Sequence, residues 1–449
     1  METRHTHGRS VVVGMGVSGF AAARYLYDAG LDLTIMDSRD EPPNLDEIHA
    51  LLPNAEVRLG GFDAQVLADA VQLVMSPGVS LQTTEIASAL EAGVPVLGEI
   101  ELFARAVRQP VIAITGSNGK STVTAMLGEM IARSGREVAV GGNLGTPALE
   151  LLASSSEAAT FVLELSSFQL ETLRSLRPIA AALLNVAPDH LDRYDSFEAY
   201  RDAKARITLG AEVVVINGDD PWLCELVADR KHIRFTAKEP SEGEFGLRDR
   251  DGELWLCFGD DWLMAQSDVR LAGLHNTMNV LAAFALGSAA GIAFAPMCEV
   301  AREFAGLAHR CELIAEHDGV RWINDSKGTN VGATVAAIDG LASLGPITLI
   351  AGGLIKEPNL QPLREAAIGT VAQVILIGRD APVLAELFDD VATQSRAASM
   401  KEAVSCAARV TSSGGTVLLS PAAASFDMFD SYAARGESFA REVKEQVLS

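Results

Sequence analysis

The sequence predicts an α/β protein built from three consecutive α/β domains. Three observations carry that expectation. Short β-branched runs alternate with Ala/Leu-rich stretches along almost the whole chain, as strands alternate with the helices that cover them. Many of these runs are continuously apolar, which suits strands buried on both faces of a parallel sheet. Glycines close three of them, at Gly14, Gly116 and Gly352, so each can open a separate sheet that handles nucleotide or phosphate at its strand ends.

Strands are expected at 10–13, 33–36, 111–114, 161–165, 182–185, 213–216, 347–350, 374–377 and 417–419. Breaks near Gly98 and Gly306 divide the 449 residues into 1–98, 99–306 and 307–449, each long enough to bury its own core. The segment 241–266 departs from the pattern. It is polar and Gly-rich, with Trp255 and Phe258 among charged residues around Asp251-Gly252, and predicts a small antiparallel hairpin added to the central sheet.

Composition excludes some functions. The formal net charge of −23 repels nucleic acid and anionic membrane, so neither is an expected partner. An anionic substrate must then be held by local cationic groups. The most apolar stretch, 340–355, is cut by Gly345-Pro346 and Gly352-Gly353 and is too short to span a bilayer. Residues 1–10 are polar and lack the apolar core of an export signal. The five cysteines are scattered and form no C-x-x-C pair. They read as reduced thiols of a cytoplasmic protein.

Gly14-Met15-Gly16-Val17-Ser18-Gly19 follows the first strand and precedes a helix expected to start near Phe20. With Asp37 ending the next strand, it has the form of a dinucleotide fingerprint and gives the first domain a Rossmann-like character. Three readings stand at this point: NAD, another diphosphate such as a UDP-sugar, or a tightly packed turn. Ser76-Pro77-Gly78-Val79 forms a second turn at a strand's carboxyl end.

The stretch Thr115-Gly116-Ser117-Asn118-Gly119-Lys120-Ser121-Thr122 is more informative. A buried strand enters a tight turn and leaves in a helix expected over 123–132. Its Gly-Lys-Ser core has the parts of a phosphate loop: backbone N–H groups around phosphate, Lys120 for the β/γ-phosphates, and the Ser121 hydroxyl for Mg²⁺. The first glycine sits two positions later than in the common loop, which counts against an ordinary phosphate-loop kinase or GTPase.

This shortened loop resembles that of the Mur ligases and their folylpolyglutamate synthase relatives, and the resemblance runs on through the chain in order. Gly142-Asn143-Leu144-Gly145 is similar to that family's G-N-x-G loop, and Glu164-Leu165-Ser166-Ser167-Phe168-Gln169-Leu170 to its E-x-S-S-F-Q-L stretch. Asn185-Val186-Ala187-Pro188-Asp189-His190-Leu191-Asp192-Arg193 resembles N-x-x-x-D-H-L-D-R. Ala203-Lys204 resembles the site of a modified lysine. His275-Asn276-Thr277-Met278-Asn279, His309-Arg310 and Asn324-Asp325-Ser326-Lys327-Gly328-Thr329-Asn330 resemble three further signatures.

The resemblance implies an ATP- and Mg²⁺-dependent ligase that activates a carboxylate as an acyl-phosphate and joins it to an amine. Its fold would be a Rossmann-like first domain, a central ATPase-like parallel sheet and a Rossmann-like third domain. It implies Lys120, Glu164, His190 and Lys204 as catalytic residues, the last as a carbamate. Ser121, Glu164, His190 and that carbamate would face the metal. Gly116, Ser117, Asn118, Gly119, Lys120, Ser121, Thr122, Asn276, Asn279, Arg310 and Asp325 would hold ATP. Neutralising the Lys204 amine, as carbamylation requires, is expected of burial or of Arg201 or Arg206 nearby.

Within the family, the N-terminal loops resemble those of the branch that adds D-glutamate to UDP-N-acetylmuramoyl-L-alanine. Val17, Ser18, Asp37, Ser38, Arg39, Ser76, Gly78, Asn143, Ser166 and Gln169 would then contact the UDP-substrate. Leu419-Ser420-Pro421-Ala422-Ala423-Ala424-Ser425-Phe426-Asp427 resembles that branch's C-terminal stretch. Lys327, Thr329, Lys356, Ser425 and Tyr432 would hold D-glutamate, in an enzyme expected to act as a monomer. One departure stands out: Leu354-Ile355-Lys356-Glu357 replaces a polar, Asp/Gly-rich turn. The rivals are another Mur ligase or a folylpolyglutamate synthase, against which the opening glycine domain argues, an NAD-dependent oxidoreductase, which leaves Gly116 to Thr122 without a role, and a nucleotide-binding protein without catalysis.

Overall fold

A computed structural model describes residues 8–448 except Asp192, Ala272 and Pro358. Among the described residues three sheets follow one another along the chain. In the first, Glu56–Arg58, Leu33–Met36, Ser10–Val13, Gln72–Met75 and Val96–Gly98 lie side by side, all parallel. Val12 pairs with Ile35 on one side and Val74 on the other, so the run Val11-Val12-Val13 is buried on both faces, as its apolar sequence requires. The order reverses at Ser10–Val13, and a crevice opens there at the strands' carboxyl ends.

The central sheet sets Val111–Thr115 between Thr160–Glu164 and Ala180–Leu183. Val138–Gly142 closes one edge, and Val214–Asn217 and His232–Phe235 extend the other. The expected antiparallel hairpin is instead a three-stranded meander of Phe245–Arg250, Glu253–Phe258 and Asp261–Ala265. Its first turn uses Asp251 and Gly252, both at positive φ (57° and 87°), which fits the twist of a tight hairpin. The third sheet is parallel except for its edge strand Glu312–His317, which pairs antiparallel with Val320–Asn324. Its centre, Ile347–Gly352 and Thr416–Leu419, is fully buried.

Helices cover both faces of each sheet. Leu274–Ala289 packs on Lys120–Arg133 over the central sheet, and its row of buried Ala, Leu and Phe joins that core. Among the described residues no helix is long and apolar enough to cross a membrane. The five cysteines remain free thiols.

Candidate active site

The shortened phosphate loop sits where the central strand Val111–Thr115 ends. Gly119 takes φ 81°, and a Cβ there would run into Asn279 Oδ1, so glycine alone fits between the turn and the helix Leu274–Ala289. The following helix, Lys120–Arg133, begins three residues earlier than the sequence predicts. Lys120 and Ser121 therefore stand in its first turn, beside backbone N–H groups that favour an anion. Asn118 N donates to Asn185 Oδ1 at 2.9 Å and Asn185 Nδ2 to Asn118 O at 3.1 Å, which pins the loop to the next strand's exit.

Glu164 ends its own strand and is 2% exposed. Ser121 Oγ donates to its Oε2 in a short hydrogen bond, and Asn143 Nδ2 donates to its Oε1 at 2.7 Å. Burial works to raise this carboxyl, but Lys120, Ser121 and Asn143 together hold it below the usual range. Lys120 Nζ donates to the carbonyls of Gly116 (2.7 Å) and Ser117 (2.9 Å). Lys204, buried on the helix Phe197–Ala205, sends its Nζ to the same Gly116 carbonyl at 2.8 Å.

Burial drives the Lys204 amine well below its ordinary pKa, and the neighbouring Lys120 charge drives it further. The sequence assigned that second effect to Arg201 or Arg206, and the structure corrects it. Arg201 lies over the Trp222 ring at 4.4 Å, and Arg206 donates to the carbonyls of Leu170 and Leu173. His190 takes a left-handed conformation (φ 54°) on a loop well past its strand, with its ring 4.9 Å from that of Phe168. Asp189 accepts the His190 N–H at 2.9 Å. Of the expected metal ligands, Ser121 and Glu164 touch directly; among the described residues no group of three or more His, Cys, Asp and Glu is poised for a metal.

The third domain closes over this centre. Arg310 Nη2 donates to Ser121 Oγ at 2.6 Å, and Asn330 Nδ2 to Asp189 Oδ2 at 3.2 Å. Between the two domains lies a slot of about 80 Å³ lined by Asn118, Gly119, Thr122, Asn276, Asn279, Arg310, Asp325 and Lys327. Asn276 and Asn279 stand inside their helix, whose N-cap is Gly273, so they do not cap it. Asp325 accepts from Cys311 N and Ser420 Oγ, and burial pushes its carboxyl up to about 6. Burial, then Arg310, brings the Lys327 amine down to about 8.

Lys327 Nζ lies 4.9 Å from the Tyr432 ring centroid, joining two of the residues expected for the amino acid. Thr329 is half-buried two residues further on, and Ser425 is buried with its carbonyl accepting from Met428 and Phe429. Lys356 is exposed. Leu354 pairs with Ala424, and it is Glu357 that turns inward, accepting the Val331 N–H at 2.7 Å. The altered loop thus presents a carboxylate to the helix Val331–Leu341.

A second cleft, about 570 Å³, lies between the first and central domains. Val17, Ser18, Asp37, Ser38, Arg39, Ser76, Gly78, Asn143 and Gln169 all line it. Ser166 does not: its hydroxyl accepts from Gln169 N and caps the helix Ser167–Glu171. The helix of the glycine loop starts at Val17, and Gly14 and Gly19 meet so closely that a Cβ on Gly19 would strike the Gly14 carbonyl.

Asp37 has no free lone pair for a ribose. Met15 N (2.7 Å), Arg39 N (3.0 Å), Arg39 Nε (2.8 Å) and Arg39 Nη2 (2.7 Å) occupy its four acceptor positions. Burial pushes its carboxyl up, but these bonds outweigh it and hold the pKa at about 2. Asp37 therefore shapes the glycine loop and aims Arg39. Its contribution to stability is full above the unfolded value of about 4 and is lost as pH falls through about 2. Asp37→Asn should melt well below the parent at pH 7, with the gap narrowing in acid; thermal melts that show an undiminished gap at pH 3 would contradict this.

Several residues escaped the sequence reading. Gly142 and Pro147 line the cleft, and Leu271, His275 and Cys311 line the slot. Gly142 and His275 stood within motifs that drew attention to their neighbours. The Asp189–Asn330 contact spans 141 residues and left no local signal. Asp192 of the same motif lies outside the described residues.

A glycine loop facing one cleft, a phosphate loop facing another, and an arginine and a lysine reaching in from a third domain define a multidomain nucleotide-dependent ligase. Three family profiles match the chain: a Mur ligase MurD-like N-terminal domain over 8–98, a Mur ligase middle domain over 114–287, and a Mur ligase glutamate ligase domain over 309–423. The UDP-N-acetylmuramoylalanine--D-glutamate ligase of Nitrosococcus oceani is 49% identical over 98% of this chain and 97% of its own length. That of Marinobacter nauticus is 47% identical over 96% and 97%. Among solved structures, the MurF ligase of Thermotoga maritima in complex with ADP aligns with a TM-score of 0.63 at 17% identity, over 93% of this chain and 96% of its own. The UDP-N-acetylmuramate-alanine ligase of the same organism aligns at 0.61 and 19%, over 98% and 100%. The chain belongs to the Mur ligase family, and is thus an ATP-dependent amide-forming ligase.

Proposed function

We propose that the chain adds D-glutamate to UDP-N-acetylmuramoyl-L-alanine in cytoplasmic peptidoglycan precursor synthesis, acting as a monomer through domains 1–98, 99–306 and 307–449. One observation carries this reading. The 570 Å³ cleft that gathers the glycine loop, Arg39 and Ser76 also contains Asn143, whose amide bonds Glu164 at the phosphate loop. A UDP-sugar lying along the cleft would deliver its far end, the L-alanine carboxylate, to that loop. The names of the similar enzymes from Nitrosococcus and Marinobacter support the same substrate pair.

In this reading the alanine carboxylate attacks the γ-phosphorus of ATP, ADP leaves, and an acyl-phosphate forms. The amine of D-glutamate then attacks the acyl carbon, and phosphate leaves. Lys120, Arg310 and the helix N-terminus stabilise charge on the transferring phosphoryl group. Asn276, Asn279 and Asp325 all line the 80 Å³ slot, and their side chains suit a base and a ribose hydroxyl. The oxygen pair of Ser121 and Glu164 suits Mg²⁺, which His190 and a carbamylated Lys204 would help to hold and which would supply positive charge to the phosphates. Lys327 and Tyr432, with Ser425 and Thr329, would receive the glutamate carboxylates. Closure of the third domain keeps water from the acyl-phosphate.

The test measures ATP-dependent phosphate release with UDP-N-acetylmuramoyl-L-alanine and a panel of D- and L-amino acids. Release is expected with D-glutamate alone; release with another amino acid and not D-glutamate would reassign the branch. Titration calorimetry separates the rival for the first domain. It should detect UDP-N-acetylmuramoyl-L-alanine and no NAD, because the saturated Asp37 offers no acceptor to the adenosine ribose of NAD. Heat from NAD without heat from the UDP compound would refute this.

A further inference from the structure

We propose that Arg193 is a positioning residue that couples occupancy of the UDP-side cleft to the geometry of the phosphoryl-transfer site. This rests on the reading of that cleft as the UDP-sugar site. Arg193 belongs to the central domain, on the same loop as His190, yet its guanidinium is committed to the first domain. Nη1 donates to Pro77 O at 2.8 Å, and Nη2 to Val79 O at 3.2 Å. These two carbonyls flank Gly78 in the turn that forms one wall of the cleft. Nη2 also meets Glu171 at 3.2 Å, which fixes the fork at its other edge.

The guanidinium carbon lies over the Phe168 ring, 4.2 Å from its centroid, and the Phe168 ring in turn neighbours the His190 ring at 4.9 Å and the Tyr194 ring at 6.0 Å. One rigid, planar cation therefore bonds the cleft wall and packs over the ring that neighbours His190. The side chain is 14% exposed, so these contacts are shielded from water and from salt. Helix Ser167–Glu171 carries three members of the arrangement: Phe168, Glu171, and Gln169, which lines the cleft. A ligand that presses on the turn at Ser76 to Val79 thus moves or locks the same unit that orients His190.

Lysine is not an equivalent. A lysine keeps the charge, but its single ammonium lacks the planar fork that spans two carbonyls and a carboxylate, and it stacks less well on a ring. Gln82, whose side-chain amide reaches Asp195 at 3.3 Å, also bridges the same two segments, but it is exposed and touches neither the cleft wall nor Phe168. It serves as a control for loss of an interdomain contact as such.

The experiment compares Arg193→Ala, Arg193→Lys and Gln82→Ala in the full chain. Calorimetry with UDP-N-acetylmuramoyl-L-alanine and with a non-hydrolysable ATP analogue gives binding, and phosphate release at saturating substrates gives kcat. Arg193→Ala should weaken the UDP compound about tenfold and lower kcat about tenfold or more, as loss of substrate positioning does, with the ATP analogue unchanged. Arg193→Lys should recover the melting temperature but neither of those two losses, and Gln82→Ala should match the parent. Full recovery by lysine overturns the proposal, because charge alone would then suffice. Weakened UDP binding with normal kcat overturns the coupling. If Arg193→Ala does not fold, the lysine variant alone decides by the same two readings. A parent protein that binds no UDP compound would instead remove the functional reading on which the proposal rests.

Discussion

Lys120→Ala should abolish turnover while the protein stays folded. The lysine stands in the first turn of the helix Lys120–Arg133, and its amine donates to two carbonyls of its own loop. Burial lowers its pKa, with Arg310 adding to the effect against the pull of Glu164, so the charge is held at a cost that phosphate would repay on binding. Truncation removes a desolvated cation and leaves the surrounding apolar core untouched, so the melting temperature should change little. Loss of such a group from a phosphoryl-transfer site costs about two or more powers of ten in rate. Steady-state phosphate release beside a thermal melt measures both. A variant that turns over within a few-fold of the parent would end the assignment of Gly116 to Thr122 as the ATP loop.

Lys204→Ala should be nearly inactive and partly restored by acetate or formate. The amine is buried and depressed in pKa, and shares the Gly116 carbonyl with Lys120, so it is neutral more readily than a surface lysine. A neutral amine adds CO₂, loses a proton and becomes a carbamate, exchanging a cation for an anion whose oxygens suit Mg²⁺. Acid works against this by protonating the amine, so activity should fall on the acid side and recover with bicarbonate. A small carboxylate diffusing into the space vacated by the alanine variant would supply the missing oxygens. A high-resolution density map of the Mg²⁺-bound, active enzyme decides the chemistry: an unmodified Lys204 amine on the Gly116 carbonyl would sink it.

The three sheets were legible because their strands are apolar on both faces and end in glycine. Val11 to Val13, Val111 to Ile114 and Ile347 to Ile350 leave little choice of structure. The third meander strand, Asp261–Ala265, was not legible, since Trp262 is 41% exposed and the alternation there is weak. In the site, residues that lie next to strand ends were readable from their motifs, and the cleft gathers most of those expected of it. What sequence could not give was proximity without adjacency. Lys204 owes its depressed amine first to burial and then to Lys120, which shares the Gly116 carbonyl with it, while the arginines nearest in sequence point away. The loop 354–357 lacks the polar, Asp/Gly-rich turn of the family, and which of its side chains turns inward, Glu357, was not readable from it.

The slot between the central and third domains has one further consequence. At about 80 Å³ it is far smaller than the roughly 300–1,000 Å³ of sites that enclose small ligands, yet Arg310 already rests on Ser121 and Asn330 on Asp189. If ATP binds in this slot, Arg310 and Asn330 must give way to admit it, and diffusion should set the pace of association only while ATP is scarce. At high concentration the observed rate should level off at the frequency with which Arg310 lets go of Ser121, and weakening that contact would raise the plateau while shortening the time ADP is retained.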